Sequence, residues 1–103
     1  MTSLQITELI EGEIGTDWSR SNAHGVNLKV CLVPPLLQEY QDGFEPEKQV
    51  SLWLVLEEDP VSQSGYKIVY SDLENMFGLA VCGHDYAIFI GYYGTFLETL
   101  EAM

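Results

Sequence analysis

The feature that most constrains the fold is a series of short β-rich runs joined by turns. The runs are Leu36–Gln41, Gln49–Glu58, Tyr66–Tyr70, Met76–Cys82 and Tyr86–Gly91. The connections DGFEPEK, DPVSQSG, SDLEN and GHD are all shorter than the dozen or more residues that a crossover between parallel strands requires. Neighbouring strands are therefore antiparallel, and the sequence predicts a meander sheet of four or five strands.

Alternation within these runs predicts which side chains face the core. In Gln49–Glu58 one face holds only aliphatic residues and the other is mixed, which is typical of a central strand: Val50, Leu52, Leu54 and Leu56 against Ser51, Trp53 and Val55. In the run Tyr66–Tyr70, Lys67 is predicted to be the polar residue that points outward.

Helices are expected at both ends of the chain. In residues 4–14, Ile6, Ile10 and Ile14 recur at helical spacing, and Thr2 with Gln5 matches a capping box, although a strand is the alternative. Near the C-terminus, Thr95 and Glu98 have capping-box spacing ahead of a short apolar helix. We expect an α+β fold of one domain, residues 1–103, with the C-terminal helix and an N-terminal helix packed on one face of the sheet.

The segment between the first helix and the sheet is the hardest to interpret. Residues 15–27 are polar and indicate a loop. The next run, Leu28–Val33, fits a strand or the last turn of a helix, and it is expected to stop at Pro34 and Pro35 because proline lacks a backbone N–H.

The charge of the chain limits its partners. Sixteen acidic residues against four basic ones give a net charge of −12. Binding to nucleic acid phosphates needs clustered Lys and Arg, so no nucleic-acid partner is expected, and anionic membranes are disfavoured for the same reason. The charge fits a basic protein partner, although high net charge also simply keeps a small protein in solution.

Targeting and redox signals are consistent with a cytoplasmic protein. Cys31 and Cys82 are too few for a disulfide framework, and both lie in apolar runs where a free cysteine acts as a small hydrophobic residue. No signal peptide pattern and no apolar stretch of ~18 residues is present.

Two groups of residues could carry chemistry. In the turn CGHDY, His84 and Asp85 are weak metal candidates, but the spacing to Cys82 does not match zinc sites and the group is better explained as turn residues. No metal or other cofactor is therefore expected. Ser21 and His24 in the polar loop are residue types that hydrolases use, but the sequence has no G-x-S-x-G nucleophile elbow.

Two further groups could bind a partner. Trp18 in the polar loop and Tyr92 and Tyr93 in the sequence GYYG are aromatic residues of the type that anchors interfaces. The triplet Glu57, Glu58 and Asp59 ends a strand and could form an acidic surface, although charged residues also protect strand edges.

These features support three functional hypotheses. The first is a non-enzymatic interaction module for a basic protein, of which an inhibitor or an immunity protein is the sharpest form. The second is a small-molecule binding domain with a pocket lined by Trp53, Tyr66, Tyr70 and Tyr92. The third is a small enzyme that uses His24 or His84. An exposed edge strand would also allow two copies to pair as a homodimer.

Overall fold

The computed structural model describes residues 1–82 and 87–103, and its first element is helix α1 at Ser3–Ile14. Thr2 caps this helix reciprocally: its hydroxyl accepts from the backbone N–H of Gln5, and the Gln5 side chain accepts from the backbone N–H of Thr2. The helical interpretation of residues 4–14 is confirmed, and the strand alternative is wrong. The capping box and the buried isoleucine stripe act together to fix the helix.

Residues 15–27 contain turns but no helix or strand, as expected. They are followed by the single-turn helix α2 at Leu28–Cys31 and by five strands: β1 (Leu32–Asp42), β2 (Gln49–Asp59), β3 (Ser64–Ser71), β4 (Met76–Cys82) and β5 (Ala87–Gly94). Helix α3 (Phe96–Ala102) begins with the predicted capping box of Thr95 and Glu98. Across these described residues, no helix has the length and apolarity needed to cross a bilayer.

The five strands pair in sequence order and close on themselves. Each consecutive pair is antiparallel, and a short parallel contact between β1 and β5 closes the barrel, with Gln41 opposite Ile88 and Asp42 opposite Phe89. The predicted α+β fold, an antiparallel meander with helices at both ends, is confirmed. The closure itself depends on a pairing between distant segments, which local sequence patterns do not reveal.

Two apolar clusters lie on opposite faces of this sheet. The helix-facing cluster joins α1 and α3 to residues of the outer strand face, among them Ile68, Tyr70 and Phe77. The interior cluster lies on the face that the barrel encloses and comprises Tyr40, Leu52, Val69, Ala80 and Phe89. The space inside is narrow, because a Cβ on Gly78 would clash with the backbone carbonyl oxygen of Gly91. Both faces of the central strands are therefore buried, which explains their nearly continuous apolar sequence.

A register shift in β2 changes which of its aliphatic side chains share a face. The pairing with β3 is irregular between Leu54, which lies opposite Val69, and Leu56, which lies opposite Ile68. Because the extra residue, Val55, changes the alternation, Leu56 joins the helix-facing cluster while Leu52 stays in the interior cluster. The expectation that all four aliphatic residues share one face is wrong.

The two prolines lie within a strand rather than ending one. Strand β1 continues through Pro34 and Pro35 to Asp42, and its register against β2 is irregular between Leu32 and Leu36. Proline is tolerated at such an irregularity because no ladder hydrogen bond is needed there. The hydroxyl of Ser3 in α1 also donates to the carbonyl of Pro35 over 3.0 Å, which satisfies part of the backbone. The predicted stop at these prolines is wrong.

Candidate functional site

A groove of about 680 Å³ lies between α1 and the beginning of β1. We call it the Trp18 groove. Its lining is mainly apolar, with four polar side chains: Leu4, Ile10, Trp18, Leu28, Leu32, Val33, Pro34 and Pro35, together with Ser3, Thr7, Glu11 and Lys29. Trp18, which the sequence predicts as an aromatic anchor, therefore lines this groove.

The loop that carries Trp18 is held in place by Asn22. The Asn22 side-chain amide donates to the carbonyl of Leu100 over 2.8 Å, and its oxygen accepts from the backbone N–H groups of His24 and Val26. The hydroxyl of Ser21 donates to the carbonyl of Val26 over 2.7 Å. These bonds give the loop a fixed shape without a helix or strand, so the Trp18 side chain is held against the helix-facing cluster.

A second fixing contact joins the same loop to β2. Nδ1 of His24 lies 3.0 Å from Oε2 of Glu58, and the other oxygen of Glu58 accepts from the backbone N–H of Tyr66 at 3.0 Å. These two hydrogen bonds, first that from Tyr66 and then that from His24, lower the pKa of the Glu58 carboxyl below its usual value. Among the described residues, no serine or cysteine side chain hydrogen-bonds to His24. The contact with Glu58 therefore ties the loop to β2 through His24.

The lowered pKa of Glu58 makes an expected contribution to stability against acid. A carboxyl whose pKa is lowered by folding stabilises the native state above its unfolded pKa, and this contribution is lost as the pH falls through the folded pKa. We expect Glu58→Gln to reduce the free energy of unfolding by about 1 kcal/mol at pH 7. The difference from wild type should shrink steadily below about pH 4.5, near the unfolded glutamate pKa. Urea unfolding of both proteins between pH 7 and pH 3 measures it, and a difference independent of pH would contradict this role of the carboxylate.

The acidic triplet at the end of β2 does not form one surface. Glu57 is buried and bonded to Lys67, and Glu58 is half-buried against His24. Asp59 is exposed, and its pKa is lowered first by a side-chain hydrogen bond from Ser62 and then by the backbone N–H groups of Ser62 and Val61, from which it accepts. The three carboxylates therefore have three different roles.

The Glu57–Lys67 pair lies in a second cavity, which we call the mouth cleft. This cleft of about 640 Å³ is lined by residues of β1, of β2 and the turn after it, of β3, and of the end of β4: Val33, Pro34, Pro35, Leu36, Gln38, Leu54, Glu57, Pro60, Gln63, Lys67 and Cys82. Nζ of Lys67 lies 2.7 Å from Oε1 of Glu57, and the two side chains are only 8% and 7% exposed. The prediction that Lys67 points outward is wrong, because its strand face lines the barrel interior.

The tyrosines and the second tryptophan are spread over separate sites. Trp53 and Tyr92 line a further cavity of about 580 Å³, and Tyr92 also packs on Phe89 with ring centroids 4.7 Å apart. Tyr66 lies instead beside His24, and Tyr70 packs on Phe77. Tyr93 is 43% exposed. The pocket expected from Trp53, Tyr66, Tyr70 and Tyr92 together is not assembled as one site.

The candidate metal ligands His84 and Asp85 lie outside the described residues. In the part of the chain that the structure describes, no three potential ligand side chains come together. Cys31 and Cys82 are both free thiols, the first buried and the second exposed. The exposure of Cys82 contradicts its expected role as a small core residue: its thiol donates to the carbonyl of Gln63 over 3.1 Å.

Two features of these sites were missed in the sequence. The groove requires α1 and β1 to lie side by side, and the Glu57–Lys67 pair requires the register of β2 against β3.

Comparison of the chain with protein-family models, curated proteins and solved structures finds no match. Its function therefore has to be inferred from the groove, the cleft and the charges around them.

Proposed function

We propose that the protein is a non-enzymatic interaction module that docks an apolar segment of a basic protein partner in the Trp18 groove. The observation that carries this proposal is a largely apolar groove beside a half-buried tryptophan on a chain of net charge −12. Tryptophan is among the residues that most often dominate binding energy at interfaces.

The apolar character of the groove supports docking. Leu4, in the first turn of α1, is 66% exposed although it lines the groove. Apolar surface of this kind, bordered by polar residues, is typical of interaction sites because a partner that covers it removes it from water. A partner side chain that fills the space between Leu4, Trp18 and Pro34 would gain the largest share of this burial.

The charges around the groove favour a basic partner. Glu8 and Glu11 are exposed on α1, the helix that forms one wall. Three of the four basic residues contribute little positive potential to the surface, because a carboxylate lies within 4.0 Å of each one: Arg20, Lys48 and Lys67. Lys29 also lines the groove, so the basic residues of the partner are expected on the α1 side, beside Glu11. Attraction of this kind accelerates association and weakens as salt is added.

Capture from host lysate tests the proposal. The tagged protein is expected to retain a basic protein at low salt and to release it as salt is raised. Trp18→Ala and Leu4→Ser should each reduce the amount retained at least tenfold, which corresponds to about 1.4 kcal/mol or more.

Controls separate the groove from a nonspecific acidic surface. Leu73→Ser removes a leucine that is 88% exposed and lies outside the groove lining, so it should leave capture unchanged. Leu4→Ser also guards against misfolding, because Leu4 lies outside the buried core whereas Trp18 contacts it. Equal capture by wild type and by both groove variants would contradict the proposal.

The kind of partner, the compartment and the pairing of two copies are proposed on similar grounds. We favour an inhibitor or immunity protein that binds a cationic enzyme, and the negative charge argues against a nucleic-acid partner.

Two free thiols support a reducing compartment, and we propose that the protein is cytoplasmic. Pairing of two copies through an edge strand is a weaker alternative, because β1 already pairs with β5 at Gln41 and Asp42, and Pro34 and Pro35 interrupt the hydrogen-bonding groups at its other end.

A further inference from the structure

We propose that the mouth cleft binds a small neutral molecule that presents a hydrogen-bond donor beside an acceptor, as the cis-amide edge of a lactam or a pyrimidine base does. This site is separate in function from the Trp18 groove. The cleft and the groove share only the wall formed by Val33, Pro34 and Pro35, and the charged residues of the cleft lie in the cleft alone.

The buried ion pair is the first reason for this inference. Removing two charges from water is costly, and apolar residues of similar volume often stabilise a fold as well or better. Glu57 and Lys67 are nevertheless more than nine-tenths buried at the wall of a cleft of about 640 Å³. Polar groups placed within an otherwise apolar concave surface are typical of ligand sites, and the cleft contains apolar Leu36, Leu54 and Pro60 beside the pair.

Unused hydrogen-bonding capacity is the second reason. The Lys67 ammonium has three N–H groups, of which one donates to Glu57 Oε1 over 2.7 Å and one to the carbonyl of Gln63 over 3.2 Å. Within residues 1–82 and 87–103, these two bonds are the ones that the ammonium makes, and the Glu57 carboxylate accepts through Oε1 alone, so one N–H of Lys67 and Oε2 of Glu57 are left for a ligand. A ligand carbonyl can accept from the third N–H of Lys67 while a neighbouring ligand N–H donates to Oε2 of Glu57.

Charge and desolvation define the class of ligand. The pair is neutral as a whole, so a carboxylate ligand would meet Glu57 and an amine ligand would meet Lys67, each with a like charge beside it. The surroundings are also poorly solvated. Burial, and then the Glu57 carboxylate, raise the pKa of the nearby Tyr40 phenol. A neutral amide loses less hydration on entering such a site than an ion does.

An NMR titration with 2-pyridone as the probe tests the proposal. We expect saturable shifts of the backbone amide signals of Leu54, Glu57 and Lys67 in the full chain. N-methyl-2-pyridone keeps the acceptor but lacks the N–H donor, and it should bind at least tenfold more weakly because Oε2 of Glu57 is then left without a partner. Acetate and methylammonium should produce no saturable shift at these signals.

A variant provides the second measurement. The double substitution Glu57→Leu with Lys67→Met keeps side-chain volume at the site and should reduce 2-pyridone binding at least tenfold. If this variant does not fold, the comparison of the two pyridones on the wild-type protein decides alone. Equal affinity for both pyridones, or shifts confined to residues outside the cleft, would overturn the proposal. Neither result depends on Trp18, so failure here is distinguishable from failure of the interaction module.

Discussion

Replacing Lys67 by Met is expected to lower the free energy of unfolding by about 3 to 5 kcal/mol. The substitution leaves the Glu57 carboxylate buried, 7% exposed, without its cationic partner. Most of the loss comes from this uncompensated charge, since the attraction within the intact pair largely offsets the desolvation of both groups. Urea unfolding of both proteins at pH 7, followed by circular dichroism, measures the difference.

A surface ion pair of nearly the same length provides the matched control. Nζ of Lys48 lies 2.6 Å from a carboxylate oxygen of Glu45, but these two side chains are 63% and 51% exposed. Lys48→Met should therefore change the free energy of unfolding by less than about 1 kcal/mol. The double variant Glu57→Leu with Lys67→Met should be close to wild type in stability, because no buried charge remains. Equal effects of Lys67→Met and Lys48→Met would show that burial of the pair does not control its energy.

The second large effect is expected at Phe96, the first residue of α3. Phe96→Ala should cost about 3 to 5 kcal/mol, since the side chain is fully buried and a cavity would replace it. Its ring packs edge-on against Phe77 at 5.7 Å between centroids, and this contact helps to hold α3 on the sheet. A helix as short as Phe96–Ala102 is not stable without such docking.

Thermal and urea unfolding of Phe96→Ala measure this effect. Tyr93→Ala removes an aromatic ring that is 43% exposed in the preceding strand, and it should cost less than about 1 kcal/mol. A cost below about 1 kcal/mol for Phe96→Ala would contradict the account of α3 as a docked element of the helix-facing cluster.

The elements that could be predicted from sequence are those with local causes. The capping boxes at Thr2 and Thr95 bring together residues three positions apart, so sequence alone locates both helix starts. The short turns between strands impose antiparallel pairing for a similar reason. Closure of the sheet at Gln41 and Ile88, and the shift at Val55, depend on contacts between distant segments, and no local pattern encodes them.

The sites show the same division between local and long-range causes. Trp18 could be chosen from sequence because a single large aromatic residue in a polar loop is conspicuous, but its groove depends on the contact of α1 with β1. Alternation within a strand does not distinguish an outer face from a barrel interior, so the sequence wrongly predicts that Lys67 faces solvent. The register of β2 against β3 places Glu57 opposite Lys67, and this contact between distant segments shows that the carboxylate neutralises the Lys67 charge.

The tryptophan indole signals test the central claim most directly, because Trp18 lies in the proposed docking groove and Trp53 lies in a different cavity. The basic protein captured at low salt is titrated into the ¹⁵N-labelled protein, and the indole N–H resonance of each tryptophan is followed. Our account predicts that the Trp18 signal shifts or broadens, that the Trp53 signal stays in place, and that added salt reverses the change. Movement of the Trp53 signal with an unchanged Trp18 signal would contradict docking in the Trp18 groove.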